Sequence, residues 1–191
     1  RQDGDVQPGD IKYRDLNGDG RITNEDQTLI SDCGMQPRIQ YGLGCYVKWT
    51  DFDLGVFFTG SAKRTIYMSP MNPFGADTGS EWGAGERQLA KWIDDQRWSE
   101  SNPDPDATYP RLGTLYTDVK NNLVTSSYWL RNGSFVRWKT LEVGYQYKKC
   151  RIYFSGDNIA VWSPFKLWDP ELSWNSFPLQ RTFNVGVQFN L

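Results

Sequence analysis

At 191 residues, 38% hydrophobic and 15% aromatic, with a mean hydropathy of −0.64, the chain is too polar for an ordinary core unless its apolar residues line one side of alternating strands. A formal charge of −2, with 21 Lys and Arg scattered among 23 Asp and Glu, leaves no footprint for nucleic acid or anionic lipid. Histidine is absent, which removes Ser-His-Asp triads, HExxH zinc sites and imidazole acid–base chemistry, so no enzyme is expected.

Paired carboxylates such as Asp94 and Asp95 read as a solvated helix face. Cys33, Cys45 and Cys150 are odd in number and unpatterned, which predicts neither a disulfide framework nor a zinc site and leaves room for one bridge at most. No signal peptide opens the chain, and no apolar run reaches the ~18 residues of a membrane helix. Neither absence bears on a barrel, whose strands alternate.

Residues 1–37 begin with "QPGDIKY", where Asp/Ile/Lys/Tyr alternation after Pro and Gly reads more as strand than helix. "DLNGDGRITNED", residues 15 to 26, follows. Calcium takes about six to eight oxygens, and a loop of roughly twelve residues supplies them from positions 1, 3, 5, 7, 9 and 12, with Gly at 6 for the sharp turn. Asp15, Asn17 and Asp19 fall on positions 1, 3 and 5, Gly20 on 6, the Arg21 carbonyl on 7, Thr23 on 9 and Asp26 on 12, so the register predicts a structural calcium ion. Asp rather than Glu at position 12 shortens the bidentate reach, and flanking helices are missing. The competing reading is a cluster of Asn-Gly and Asp-Gly turns with solvated acids. "NEDQTLI" predicts one helical turn before "SDCGMQP" ends it.

"RIQYGLGCYVKW", 38 to 49, has period two, with Ile39, Tyr41, Leu43, Cys45, Val47 and Trp49 on one face. After a turn at Thr50 and Asp51, Phe52, Leu54, Val56 and Phe58 continue that pattern, giving a hairpin over 38–61. The small and polar residues opposite suit a wet or plugged lumen. Residues 62–133 are a long excursion in which "ERQLAKWIDDQRW", 86–98, places Leu89, Trp92 and Ile93 at helical spacing. Its Trp and Tyr content argues against disorder. "NGS", 132–134, matches a glycosylation acceptor or marks a bend. "GSFVRWKTLEVGYQY", 133 to 147, shifts apolar parity between Val136/Trp138 and Leu141/Val143/Tyr145, as a bulge or an exit from the membrane would. With "CRIYFSGDNIAVW", 150–162, it forms a second hairpin over 134–162. A Trp- and Pro-rich loop, 163–180, precedes a last strand, 181–191.

Connections near 50–51 and 148–150 are short, and those before 38, at 62–133 and at 163–180 are long. That asymmetry is shown by outer-membrane barrels, in which the short turns are periplasmic. It predicts an all-β fold: an antiparallel transmembrane β-barrel segment with long extracellular loops, one holding a short helix, and a periplasmic C-terminus. Five crossings are fewer than the about eight of the smallest barrels, and an open edge is not tolerated in lipid, so the remaining strands must come from elsewhere.

Taken in order, "PGDIKYRDLNGDGRITNEDQTLI", "PRIQYGLGCYVKWTDFDLGVFFTGS", "RWSESNPDPDATYPRL", "SSYWLRNGSFVRWKTLEVGYQY", "RIYFSGDNIAVW" and "FPLQRTFNVGVQFNL" resemble the C-terminal region of the SusC/RagA family of TonB-dependent outer-membrane transporters of Bacteroidetes. The sequence departs from the family at "SDCG" around Cys33 and at the terminal Leu191. The resemblance implies a plugged barrel of about twenty-two strands, of which this chain supplies roughly the last five. It also implies import of oligosaccharides or peptides, a SusD-like surface lipoprotein as lid, and TonB as energy source.

On that resemblance Trp82, Trp92, Trp98, Tyr109, Trp168 and Trp174 lie on extracellular loops, as candidates for ligand or lid contact; equally, they pack the loops on one another. Trp49 and Phe52, at the short-turn end, are expected as membrane anchors. The alternatives are a secreted, dockerin-like calcium module, which needs a second copy of the acidic loop that is absent, and a siderophore- or cobalamin-type receptor barrel.

Overall fold

The computed structural model describes residues 6–68, 91–112, 120–172 and 177–189, with the backbone alone at Trp92. The chain divides into two compact units, Ser31–Tyr67 with Arg131–Leu191, and Arg1–Ile30 with Met68–Leu130. Among the described residues no helix is long and apolar enough to cross a membrane.

The first unit is built on strands β1 (Ile39–Trp49), β2 (Phe52–Ala62), β5 (Phe135–Tyr147), β6 (Cys150–Trp162) and β7 (Thr182–Phe189); β3 (Thr65–Tyr67) and β4 (Leu130–Asn132), whose first residue is counted with the second unit, form a separate ribbon. The five form one sheet in the order β1-β2-β5-β6-β7, every neighbouring pair antiparallel. Period-two alternation makes strands of these segments because each then presents one consistent face. Trp49 pairs with Phe52 and Tyr147 with Cys150, so two residues reverse the chain each time. Thr50 and Lys148 accept left-handed φ of 53° and 52° to do it. The turns are tied together by the Gln146 N–H, which donates to the Asp51 carbonyl at 2.7 Å.

The parity shift in β5 is a bulge. Pairing with β2 steps from Phe57↔Thr140 to Phe58↔Trp138, leaving Lys139 unopposed. On the other side β6 carries an extra residue where pairing steps from Trp138↔Ala160 to Thr140↔Asp157, and Asn158 there has φ 53°. The extra residue returns Val136 and Trp138 to the face of Leu141, Val143 and Tyr145. "NGS" is a turn between β4 and β5, with the Ser134 N–H donating to the Asn132 side chain at 2.9 Å.

In the second unit, the buried side chains include Met68, Ile93, Tyr109, Trp129 and Asn122. Asn122 organises it: its amide oxygen accepts the Ile11 N–H at 2.9 Å, its Nδ2 donates to Asp10 at 2.9 Å, and its carbonyl accepts the Trp129 indole N–H at 2.8 Å. The Asn121 amide donates to the Ile11 carbonyl at 3.0 Å. Two side-chain amides thus take the backbone groups that a neighbouring strand would take, so in place of the strand expected at "QPGDIKY" there is a turn at Pro8 and Gly9 followed by a segment outside any sheet.

The helix expected over 86–98 is corrected at its C-terminal end. The described helix α1 is Lys91–Asp94, and residues 86–90 with Leu89 lie outside the described residues. Past Asp94 the chain turns, because Arg97 forms a bridge with Tyr109 and the Tyr109 N–H donates to Gln96. One turn after the acidic loop is helical as expected, a 3-10 turn over Asn24–Asp26.

Gly144 of β5 is one of two close approaches on the polar side of the sheet, with Gly186 the other. A Cβ at Gly144 would lie 2.4 Å from Asp53 Oδ1 and 2.5 Å from Arg151 Nη2, the two ends of an ion pair crossing β5. Gly144→Ala is therefore expected to lower the denaturant midpoint by about 1–3 kcal/mol of stability, the usual range for overpacking. Gly34→Ala, whose Cβ would meet nothing nearer than 3.9 Å, is expected to leave it unchanged. Equal midpoints for the two variants would show that the pair moves aside without cost.

Candidate functional site

The sheet's two faces differ in kind. Reading across the strands, Trp49, Phe52, Tyr145, Ile152 and Val187 form one rung, and Val47, Leu54, Val143, Phe154 and Val185 the next. The same face continues through Cys45, Val56, Leu141, Gly156 and Phe183. Leu43 is 71% exposed, Trp49 75%, Val185 77% and Phe189 71%. A contiguous apolar surface of this extent is not left facing water. Eleven residues of β1 rise about 34 Å, and at a tilt of about 40° they cover ~26 Å, matching the ~25 Å apolar band of a membrane barrel. Trp49 and Phe52 sit at the tight-turn end, where Phe52 lies 4.7 Å from the Tyr145 ring, centroid to centroid.

The opposite face is polar. Lys48, Asp53, Gly144, Tyr153 and Gly186 share a rung, as do Tyr46, Gly55, Glu142, Ser155 and Asn184. A trough of ≈ 610 Å³ runs over it, lined by Tyr46, Gly55, Glu142, Ser155 and Asp157 among others. Arg151 reaches Asp53 at 2.5 Å and Glu142 at 2.6 Å. A second cluster, at the other end, joins Arg137 to Asp169 at 2.5 Å and to Glu171 at 2.8 Å. Sequence reasoning missed both clusters, since their members are paired only by strand register and by a returning loop.

The acidic loop closes on its own backbone. Asp15 accepts the N–H groups of Gly18 and Gly20 at 2.6 and 2.8 Å, Asn17 that of Asp19 at 3.0 Å, and Asp19 that of Arg21 at 2.8 Å. Asp26 reaches back to Leu16 at 2.7 Å and forms a capping box with Thr23. Gly18 and Gly20 supply the positive φ, 80° and 79°, that these wraps demand. Among the described residues no three His, Cys, Asp or Glu side chains gather as a metal cluster. The acids of the loop point their oxygens at N–H groups of their own backbone.

Of the aromatic candidates, Tyr109 is 1% exposed and forms part of its unit's core, so its ring offers no face to a ligand. Trp98 packs on Gly9, where a Cβ would lie 2.3 Å from the indole. Trp168 is half-buried. Trp82, Trp174 and the Trp92 side chain lie outside the described residues. The cysteines are free thiols.

No protein-family model matches the chain. It is 27% identical over 192 residues to TonB-dependent receptor P26 of Formosa agariphila, covering 95% of this chain and 18% of that protein. It is 26% identical over 210 residues to TonB-dependent receptor P3 of the same organism, covering 96% and 19%. The chain thus spans less than a fifth of the length of these curated relatives. Among solved structures it is similar to the RagAB peptide importer in the "open-open" state, with a TM-score of 0.58 and 21% identity over 84% of this chain and 18% of that one. A structure of the RagAB peptide transporter matches with a TM-score of 0.57 and 20% identity over 83% and 18%. The structural likeness gives the fold: an antiparallel segment of a barrel wall.

Asp26 provides a test of the loop's closure. Its carboxyl is held below the usual aspartate range, first by the Thr23 N–H and then by the Leu16 N–H. Because the folded value is depressed, its contribution is full above the unfolded value of about 3.9 and is lost as pH falls through the folded value. The amide resonances of Leu16 and Thr23 in selectively labelled protein should therefore titrate with a midpoint below that of a free aspartate, and Asp26→Asn should abolish the titration. A midpoint at or above the free value refutes the closure.

Proposed function

We propose that the chain is part of a TonB-dependent outer-membrane transporter of the SusC/RagA type and that its five-stranded sheet is one stretch of the importer's wall. The apolar face meets lipid and the polar face meets the interior, with its water and plug. The observation that carries this is the continuous exposed apolar face backed by a charged, glycine-rich one. Both outer edges, β1 and β7, pair with backbone from the rest of the barrel, since lipid satisfies no N–H or C=O. Tight turns at Thr50 and Lys148 face the periplasm, as does the C-terminus, and the long connections face outside. The imported solute is an oligosaccharide or a peptide, taken with a SusD-like lipoprotein and driven by TonB. The likeness to a peptide importer is of fold and leaves both solute classes in play. The role is transport, and the chemistry of the chain is recognition and passage without catalysis.

On this reading a calcium ion clips the outer loop through Asp15, Asn17, Asp19, the Arg21 carbonyl, Thr23 and Asp26. The support is twofold: the oxygens fall in the register calcium needs, and the loop is folded around them. The ion would supply charge balance, because no ion pair links Asp15, Asp19 or Asp26 to a cation among the described residues.

Val56 and Ser155 lie on opposite faces at mid-wall and test the membrane assignment. Val56→Arg is expected to cost about 2–4 kcal/mol and to reduce folded, heat-modifiable protein in the outer membrane, the penalty of a cation on the lipid side near the midplane. Ser155→Arg, on the interior side, is expected to accumulate like the parent. If the arginine at 56 is tolerated as well as the one at 155, the faces are misassigned. For the ion, Asp15→Ala with Asp19→Ala should lower bound calcium in the purified protein and speed protease cutting after Arg21; unchanged calcium content excludes these ligands.

A further inference from the structure

On the polar side of the sheet buried residues sit in two places, Asp53 and Gly144 beside the tight turns and a group at the far end. Ser61 is 4% exposed, Phe135 7% and Arg137 2%. The segment that follows β6 is bonded over them. The Ser163 hydroxyl donates to the Ser134 carbonyl at 2.8 Å and accepts the Phe165 N–H at 3.1 Å, and Phe165 is itself buried. Arg137 projects from the same face as Thr59 and Asp53, donates to Asp169 through Nη2 and lies 2.8 Å from Glu171 as a second ion pair. Asp169 is fixed in turn by the Glu171 N–H at 3.0 Å. Arg64, between β2 and β3, donates to the carbonyl of Pro170, which is fully buried, and to that of Met35 at 3.1 Å.

Two arginines from different parts of the wall therefore grip one short stretch, Asp169–Glu171. Loops at strand ends are ordinarily the mobile part of a fold. A guanidinium buried beneath the loop and facing two of its carboxylates changes that, because such pairs are screened far less than exposed ones and both must break for the loop to lift. An exposed ion pair would exert no comparable hold.

We propose that Arg137 is a positioning residue of the transport path, which pins residues 163–172 as a fixed ledge on the interior side of the wall and so narrows the passage beside it. The proposal rests on the reading that the polar face lines the interior.

Trypsin applied to the full-length protein in outer-membrane vesicles tests this, following cleavage after Lys166, which is exposed on the ledge, by mass spectrometry. Cleavage after Lys91, whose side chain is 84% exposed in the other unit, is the internal reference. Arg137→Met should speed cutting after Lys166 by about tenfold, since proteolysis follows the population of the open form, and leave Lys91 as it was. Arg137→Lys, which restores the charge, should return cutting toward the parent rate. Asp169→Asn removes one carboxylate and carries the test if the methionine variant fails to assemble. Unchanged cutting after Lys166 overturns the ledge, and so does parallel acceleration after Lys91, which would mean general loosening. Absence of the parent protein from outer-membrane vesicles overturns the transporter reading instead, and the same comparison on the purified protein then decides the ledge separately.

Discussion

Everything in the sheet follows from one constraint: backbone polar groups beside an apolar solvent must be satisfied within the protein. β2 and β5 meet it on both sides with ladders that run nearly their full length, and β6 meets it along β5 and over Cys150–Asp157 along β7. Once the backbone is paired, the side chains are free to differ by face, and the alternation of Ile39 through Trp49 against Gln40 through Lys48 becomes possible. The outer edges of β1 and β7 have no such partner among the described residues. On the proposed reading, that is why the chain acts only inside a larger closed wall.

The constraint also explains where irregularity is allowed. Lys139 and Asn158 interrupt two adjacent ladders at the same level, so the disruption is concentrated in one place and both faces keep their character beyond it. Bulges raise local twist and bend the strand, which a curving wall requires. Away from the sheet the accounting changes currency. In the loop unit Asn121 and Asn122 serve Ile11, Asp10 and Trp129, and a fully buried asparagine is tolerated because its amide is used on both sides.

Strand positions were legible because period two is a local property, read from neighbours in the sequence. The parity shift in β5 was visible too, although choosing between a bulge and a membrane exit required the register of β2. Pairing at long range was not legible. Arg151 and Asp53 are 98 residues apart and meet only because β2 and β6 flank β5 at Gly144. Arg137 looked like one more polar residue in "FVRWKTLEV"; its burial comes from a loop 32 residues on. The helix over 86–98 was overextended at its C-terminal end because spacing cannot see the Arg97–Tyr109 bridge. Tyr109 illustrates the difficulty with loop aromatics: composition marks it as an interface residue, whereas its surroundings use it as core.

The acidic loop shows how a register motif and a folded geometry bear on each other. Each carboxylate there accepts one to three N–H bonds, while an ionised carboxylate offers about four lone-pair sites. Oxygens already held by those bonds retain lone pairs for a cation. On the proposed reading, the free energy of binding is then not consumed in folding the loop, which suits a clip that holds a fixed shape better than a sensor that must change it. The shorter Asp26 fits the same role. Reaching back to Leu16 and Thr23, it closes the loop without the ion, where a sensor would leave that closure to the metal.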